Sequence, residues 1–368
     1  MRQALVEARK GLGRTSPNPC VGAVVVRDGS LIAKGFHRRA GEAHAEVNAL
    51  RSAGEKSRGA TLYVTLEPCN HTGRTPPCTR AILASGIRRV VVGMPDPNPH
   101  VVGGGSAFLT TQGVVVDSGI LAEECRAINR PFIKLVQTGL PWVIMKAGVS
   151  LDGRIARIPG VGVRVTGERS GKYTHRLRNQ VDAILVGIGT VLADDPALTT
   201  RLPSGRGRSP LRIILDTHLR LPLTAKVLAA VDKASPWVFC GPSADITRRK
   251  ALESAGARVT TVAFAADGSL DLRVVLAALG AAGITSLLVE GGGRVHAAFL
   301  GAGLVDEAAI FLAPVFFGAG GVPLINGLFE QGREQIPRLQ VTEVRRLDDD
   351  VLVRGLVAAG RGADRIVL

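Results

Sequence analysis

Short apolar runs rich in valine, leucine and isoleucine alternate with helix-length segments along nearly the whole chain. Runs of that length read as buried strands, and strands separated by helices build layered α/β structure. The alternation falls into two blocks. In the first, Arg2–Lys10 reads as a helix, and Cys20–Val26 and Leu31–Phe36 as a hairpin turning at Asp28-Gly29. His44–Gly54 is helical, Ala60–Leu66 a strand, Cys78–Gly86 a helix, and Arg88–Met94 and Gly113–Gly119 strands. Leu121–Gly139 reads as a helix broken near Pro131. The second block offers strands at Trp142–Gly148, Ala183–Gly187, Leu211–Asp216, Trp237–Cys240, Ala257–Phe264, Ser286–Glu290 and Ala308–Pro314. Its helices are expected around Glu168–Asn179, Ala244–Ala255, Leu272–Leu279 and Arg294–Leu300, with a basic, flexible loop at Arg201–Pro210. Thr138-Gly139-Leu140-Pro141 punctuates the pattern, so the expected domains are 1–139 and 140–368. A length of 368 residues suits two domains.

With 46% hydrophobic and 21% charged residues the chain can fill two cores, which excludes intrinsic disorder. The net charge of +15 fits either nucleic acid or a small anionic substrate. Aromatic residues are only 4%, a scarcity that weighs against a base-stacking surface, so the expectation is no nucleic-acid partner. Five cysteines make no disulfide framework, and the N-terminus carries no apolar signal core; a cytoplasmic protein is expected. The uncharged run Ala308–Phe329 contains Pro314, Pro323 and Asn326, so it reads as strand, turn and loop rather than a membrane span.

Three fragments carry the chemistry of the first block: His44-Ala45-Glu46, Glu67-Pro68-Cys69, and Gly73–Cys78. One imidazole and two thiolates suit tetrahedral zinc with a fourth position left for water, which the metal acidifies. Cys78 follows two prolines at a helix start, where the backbone N–H groups favour a thiolate. Glu46 stands beside that position as a carboxylate able to take the water's proton and deliver it to a departing amine. His-x-Glu with Pro-Cys-x-x-Cys is the mark of zinc nucleobase deaminases, although here eight residues separate the cysteines. Thr65–Cys78 (TLEPCNHTGRTPPC) resembles the motif of the riboflavin-biosynthesis pyrimidine deaminases, which have that wider spacing. Pro17–Val25, Gly35–Leu50 and Asp96–Pro99 extend the resemblance. It implies a cytidine-deaminase-like three-layer domain in which Asn18 holds the pyrimidine and His37 and His71 lie near it. Arg74, between the cysteines, is either a phosphate ligand or a solvated loop residue.

Ser286–Leu300 (SLLVEGGGRVHAAFL) is a strand, a glycine-rich turn and a helix, a geometry that can cradle phosphate. His296 replaces the third glycine of the dinucleotide fingerprint, so on its own the segment is equally an ordinary tight turn. Lys146–Ala156, Thr190–Arg201 and Val289–Gly293 resemble the reductase half of the bifunctional bacterial riboflavin enzymes. That likeness, covering about Leu5 to Val353, implies a dihydrofolate-reductase-like α/β domain that uses NADPH. It implies substrate contacts at Arg178, Leu198, Arg201 and Glu290. It places the cofactor at Val149, Thr190, Asp194, Thr217 and the turn Gly292, Gly293, Arg294, Val295, His296, Ala297 and Ala298. Lys146, Asp194 and Glu290 are the candidate catalytic groups, one of which supplies a proton as hydride reaches the ribose carbon. Gly162 and Arg164 depart from the family pattern, and Arg164 is a candidate phosphate contact.

The expected protein is therefore a bifunctional enzyme of riboflavin biosynthesis. It would hold one zinc ion in its deaminase domain, use NADPH, and act on small phosphorylated pyrimidines, with no nucleic acid or membrane partner. The residues leave open whether it forms a homo-oligomer. Two rivals remain at this level: a nucleic-acid deaminase with an appended binding domain, and a scaffold whose zinc is closed by His71 as fourth ligand.

Overall fold

The computed structural model describes every residue except 74–75, 99–103, 163, 206, 230–233, 328–335 and 359–368. Its two units comprise Met1–Leu140 and the residues from Pro141 onward. The first runs α1 (Arg2–Arg9), β1 (Gly22–Arg27), β2 (Ser30–Phe36), α2 (Ala45–Ala53), β3 (Thr61–Leu66), α3 (Cys78–Ala84), β4 (Arg89–Met94), α4 (Gly105–Thr111), β5 (Val115–Ser118) and α5 (Ala122–Thr138). The sheet order is β2-β1-β3-β4-β5, with β1 antiparallel to both neighbours and β3, β4 and β5 parallel. Asp28 and Gly29 both take positive φ, 49° and 75°, which matches the right-handed twist of a tight hairpin.

Two glycines bring helices directly onto this sheet. A Cβ on Gly22 would overlap the Ala4 carbonyl of α1, and one on Gly35 would overlap the backbone of α2 at Ala45 and Ala49. Successive strand residues face opposite sides, so α1 and α2 cover opposite faces in a three-layer arrangement. The core between the layers includes Ala23, Val25, Leu62, Val64, Ile82, Val90 and Val92. Truncating one of the larger members, such as Leu62→Ala, would cost about 2–5 kcal/mol.

The second unit contains β6 (Trp142–Ser150), β7 (Arg154–Ala156), α6 (Glu168–Gln180), β8 (Ala183–Gly187), α7 (Ile188–Asp194), β9 (Leu211–Leu215), β10 (Trp237–Cys240), α8 (Ile246–Ser254), β11 (Arg258–Thr261) and α9 (Leu272–Ala281). It continues with β12 (Ser286–Val289), α10 (Gly293–Gly301), β13 (Glu307–Ala313), β14 (Val322–Pro323), β15 (Arg338–Leu347) and β16 (Asp350–Ala358). Nine strands form one sheet in the order β11-β10-β9-β8-β12-β6-β13-β16-β15. All neighbours from β11 to β13 are parallel; β16 runs antiparallel to β13 and to β15. β7 and β14 make a small separate ribbon.

Four features depart from the sequence reading. α5 is continuous through Pro131. Proline removes only the N–H that Ala127 would accept, and buried Cys125, Asn129 and Ile133 hold the helix in place on both sides. The short helices α4 and α7 were hidden inside glycine-containing and motif segments. β15 and β16 form an edge hairpin whose first strand is mostly exposed and charged, which masks the apolar signature of a strand. The basic loop Arg201–Pro210 is not free: Arg208 gives hydrogen bonds to the Val181 carbonyl (2.9 Å) and Asp182 (3.3 Å), and its N–H to Asn179 (2.9 Å). In the run Ala308–Phe329 the structure shows β13, β14 and loop, with Leu328 and Phe329 outside the described residues. No described helix is long and apolar enough to cross a membrane.

Candidate active sites

Three chain segments converge in the first unit. His44 is the N-cap of α2, Cys78 the first residue of α3, and Cys69 lies in the loop after β3. Their ligand atoms all lie within 4.8 Å of one another. His44 Nδ1 is 3.2 Å from Cys78 Sγ and 3.6 Å from Cys69 Sγ. Ligands at zinc bond lengths in a tetrahedron stand about 3.3–3.8 Å apart, so the donor set is already spaced for that ion. The donors' chemistry agrees. The Cys78 thiol and backbone N–H both point at Cys69, holding its thiol down to about 4 and leaving the remaining proton on Cys78. Hydrogen bonding to Cys69 raises the pKa of His44 despite burial. The cluster is thus an anionic nest that binds a proton or a cation. Among the described residues no fourth protein ligand joins it, and His71 is exposed in the loop beyond Cys69.

Glu46 sits in the first turn of α2, 3% exposed. Burial raises its pKa, and its carboxyl is in hydrogen-bond contact with Cys78. A proton carrier beside a metal site needs that adjustment toward neutrality. His37 is buried, and its ring meets His44 edge-on at 5.3 Å. Its Nδ1 lies 3.2 Å from the Ala43 carbonyl, which can only accept, so Nε2 is the acceptor for Asn18 Nδ2 at 3.1 Å. Burial lowers the His37 pKa, keeping the ring neutral in that role. Asn18 and His37 therefore form one hydrogen-bonded pair beside the cluster. Arg74 lies outside the described residues. Glu67 stands in one of the three sequence fragments but has no role of its own there. Its carboxylate accepts from Ser106 N–H (2.9 Å) and Asp96 N–H (3.3 Å), and a Cβ on Gly105 would overlap the Pro68 carbonyl. These contacts fix the Glu67-Pro68-Cys69 turn against α4.

In the second unit Arg178 of α6 gives two hydrogen bonds to Glu290, from Nε at 2.8 Å and Nη2 at 2.9 Å. Lys146 of β6 lies 3.8 Å from the same carboxylate. Burial opposes ionisation of Glu290, but the two cations outweigh it and hold its pKa down to about 2. Burial lowers the Lys146 pKa, partly offset by Glu290. Arg178 Nη1 also donates to the Thr199 carbonyl at 3.1 Å. Arg201 N–H donates to His175 Nδ1 at 3.2 Å, so the loop through Leu198 and Arg201 is tied to α6. His175 was missed in the sequence, although it stands one helical turn before Arg178 on the same face. Leu198 is buried.

Beside this network a cleft of about 680 Å³ opens at the C-terminal ends of β8, β9 and β12. That volume suits a small-molecule cofactor site. Thr190, Asp194, Thr217, Gly292, Gly293, Arg294, Val295 and Ala298 line it. His296 and Ala297 do not; they are buried on the other side of α10, as Val149 is within β6. Gly292 N–H donates to Thr190 Oγ1 at 3.1 Å, tying the glycine turn to α7. A Cβ on Gly189 would meet nothing within 4 Å, so bare backbone faces the opening there. Burial raises the pKa of Asp194. Gly162 also lines the cleft, and a Cβ there would overlap the Asp194 carboxylate. Arg164 donates to the carbonyls of Thr166 (3.0 Å) and Gly167 (2.9 Å) instead of facing the cleft as a phosphate contact.

Family models match both units: the cytidine and deoxycytidylate deaminase zinc-binding region over residues 1–94, and the RibD C-terminal domain over residues 141–353. Fold and site together define a zinc-dependent deaminase of the cytidine-deaminase type joined to a dihydrofolate-reductase-like reductase in one chain. The riboflavin biosynthesis protein RibD of Bacillus amyloliquefaciens is 40% identical over 368 residues, 100% of this chain and 98% of that protein. RibD of Escherichia coli K12 is 40% identical over 364 residues, 95% of this chain and 96% of its own length. The structure of RibD from Acinetobacter baumannii superposes with a TM-score of 0.87 at 38% identity, covering 97% of both chains. A diaminohydroxyphosphoribosylaminopyrimidine deaminase/5-amino-6-(5-phosphoribosylamino)uracil reductase from Thermotoga maritima gives 0.85 at 38% identity, again with 97% coverage of both. The chain belongs to the RibD family: it is a bifunctional deaminase and reductase of riboflavin biosynthesis.

Proposed function

We propose that residues 1–139 hydrolyse the ring amine of 2,5-diamino-6-ribosylamino-4(3H)-pyrimidinone 5′-phosphate. Residues 140–368 then reduce the ribosyl side chain with NADPH, giving 5-amino-6-ribitylaminouracil 5′-phosphate. The observation that carries this reading is the preassembled His44, Cys69 and Cys78 donor set with buried Glu46 beside it. When bound, zinc supplies Lewis acidity to the hydrolytic water. Glu46 takes a proton from that water and returns it to the leaving nitrogen, so water and amine become carbonyl and ammonia. Asn18, fixed by neutral His37, presents a hydrogen-bonding edge to the pyrimidine. His71, in the loop beyond Cys69, is a further substrate contact in this reading, and Arg74 a phosphate ligand.

In the second unit a bound nicotinamide would supply the hydride, and the residues of the chain bind and orient. Thr190, Thr217 and, from the glycine turn, Gly292, Gly293, Arg294, Val295 and Ala298 hold the dinucleotide. Glu290, ionised between Arg178 and Lys146, orients substrate together with Leu198 and Arg201. It holds no proton at neutral pH, so the proton for reduction comes from Lys146 or Asp194. Both substrates are phosphorylated pyrimidines, which gives free arginines a role without nucleic acid or membrane. Thiolate metal ligands suit a reducing cytoplasm. Metal analysis joined to separate assays of ammonia release and NADPH oxidation tests the reading. One zinc per chain and both activities are expected; a metal-free, inactive first unit would refute it.

A further inference from the structure

The sheet order sets out the surroundings of the cleft in the second unit. Lys146 of β6 and Glu290, directly after β12, do not line it; they stand on its β12 side, next to the lining glycine turn at Gly292. Across β8 lies β9, two strands from β12 and about 10 Å away. The segment after β9 lines the cleft with Thr217 and Arg220. A dinucleotide held with its pyrophosphate at the Gly292 turn would have Arg220 in the same cleft, on the β9 side, for a phosphate on its far ribose.

Arg220 differs from the arginines around it. Arg212 donates to the carbonyls of Ala229 (2.5 Å) and Ala234 (2.7 Å), and Arg248 to those of Leu219 (3.1 Å) and Leu221 (2.7 Å). The exposed guanidinium of Arg220 has no hydrogen-bond or ion-pair partner among the described residues. Its backbone is fixed nonetheless. Leu219 takes a left-handed φ of 54° and is fully buried, as is Leu221. Leu221 N–H donates to Asp216 Oδ2 at 2.8 Å, and Leu219 N–H to the Asp216 carbonyl at 3.1 Å. A strained turn held from several sides, presenting an unpaired cation to a cleft, is the kind of outlier that marks a binding role; Arg294, the other unpaired arginine among the described lining residues, stands instead at the glycine turn that opens α10. A cofactor lacking the 2′-phosphate calls for a carboxylate at the ribose hydroxyl. The only carboxylate among the described lining residues is Asp194, at the end of α7.

We propose that Arg220 receives the 2′-phosphate of the dinucleotide and so sets the preference for NADPH over NADH. This rests on the cleft being the cofactor site, and the test separates the two claims. Isothermal titration of the full-length, zinc-loaded protein with 2′,5′-ADP, 5′-AMP, NADP⁺ and NAD⁺ reads binding without turnover. The unsubstituted protein should prefer the 2′-phosphorylated member of each pair. Arg220→Ala should weaken NADP⁺ and 2′,5′-ADP by about 10–100-fold and leave NAD⁺ and 5′-AMP within about twofold. Arg220→Lys should restore part of the loss. Arg294→Ala, at the start of α10, should weaken NADP⁺ and NAD⁺ alike. If neither dinucleotide binds the unsubstituted protein, the cofactor reading of the cleft fails, and the proposal with it. If NADP⁺ preference survives Arg220→Ala, or all ligands weaken together, only the assignment to Arg220 falls.

Discussion

Replacing Glu290 with glutamine removes one negative charge from between two buried cations. The carboxylate is 9% exposed, and Arg178 and Lys146 are 14% and 16% exposed. Its pKa is held from an ordinary 4.5 down to about 2, which corresponds to about 3 kcal/mol of stability at neutral pH. Breaking one partner out of a buried ion pair costs about 3–5 kcal/mol, so the two routes agree. For a unit of this size Glu290→Gln should lower its melting transition by about 6–12 °C. The loss should be asymmetric: adding Lys146→Met removes one of the orphaned cations and should return about 1 kcal/mol or more. The pH dependence follows from the sign of the shift. Because the folded pKa is depressed, the contribution is complete above the unfolded value near 4.5 and disappears as pH falls toward 2. Scanning calorimetry of the three proteins at neutral pH and near pH 3 measures all of this, with ammonia release as a control for the first unit. A shift below about 2 °C for Glu290→Gln, or further destabilisation on adding Lys146→Met, would show that the network is not a compensated buried ion cluster.

Three further outcomes are expected. Glu46→Gln should retain zinc by metal analysis and lose ammonia release by about 10²–10⁴-fold, since it keeps shape and removes the proton carrier; near-normal release would strip Glu46 of that role. Asp194→Asn should leave ammonia release intact and slow NADPH oxidation, and equal loss of both would contradict separate sites. Chelation should expose one fast-alkylating thiol, mapped by mass spectrometry to Cys69, whose thiol is held down to about 4 by Cys78. Zinc should protect it, and Cys125, buried with its thiol pushed up to about 11, should stay slow in either state. Equal alkylation of Cys69 with and without zinc would remove it from the metal site.

The sequence carried the α/β class and the joint near Pro141 because strand runs and turn signals are local. It carried the metal donors because residue type and a helix-start position together narrow the chemistry. It could not show that Glu67 ties Asp96 and Ser106 to the turn before Cys69, since those contacts span about thirty to forty residues. Nor could it show which side of α10 faces the cleft: His296 and Ala297 read as part of a phosphate cradle and turn out to be buried. Net charge was the least legible quantity. Arg178, Arg208, Arg212 and Arg248 are engaged with carboxylates or carbonyls inside the second unit, so these four of the 46 basic residues serve the scaffold rather than a free basic surface.

The close seating of α2 on β2 at Gly35, and of α4 on Pro68 at Gly105, has a consequence for how the metal enters. The three donor groups hang from backbone that is already immobilised by packing, unlike a zinc finger, where the ion must gather a loose chain. On this packing the ion should meet a socket rather than build one, so chelation should silence the hydrolytic half without unfolding it, which an unchanged far-ultraviolet circular dichroism spectrum would check.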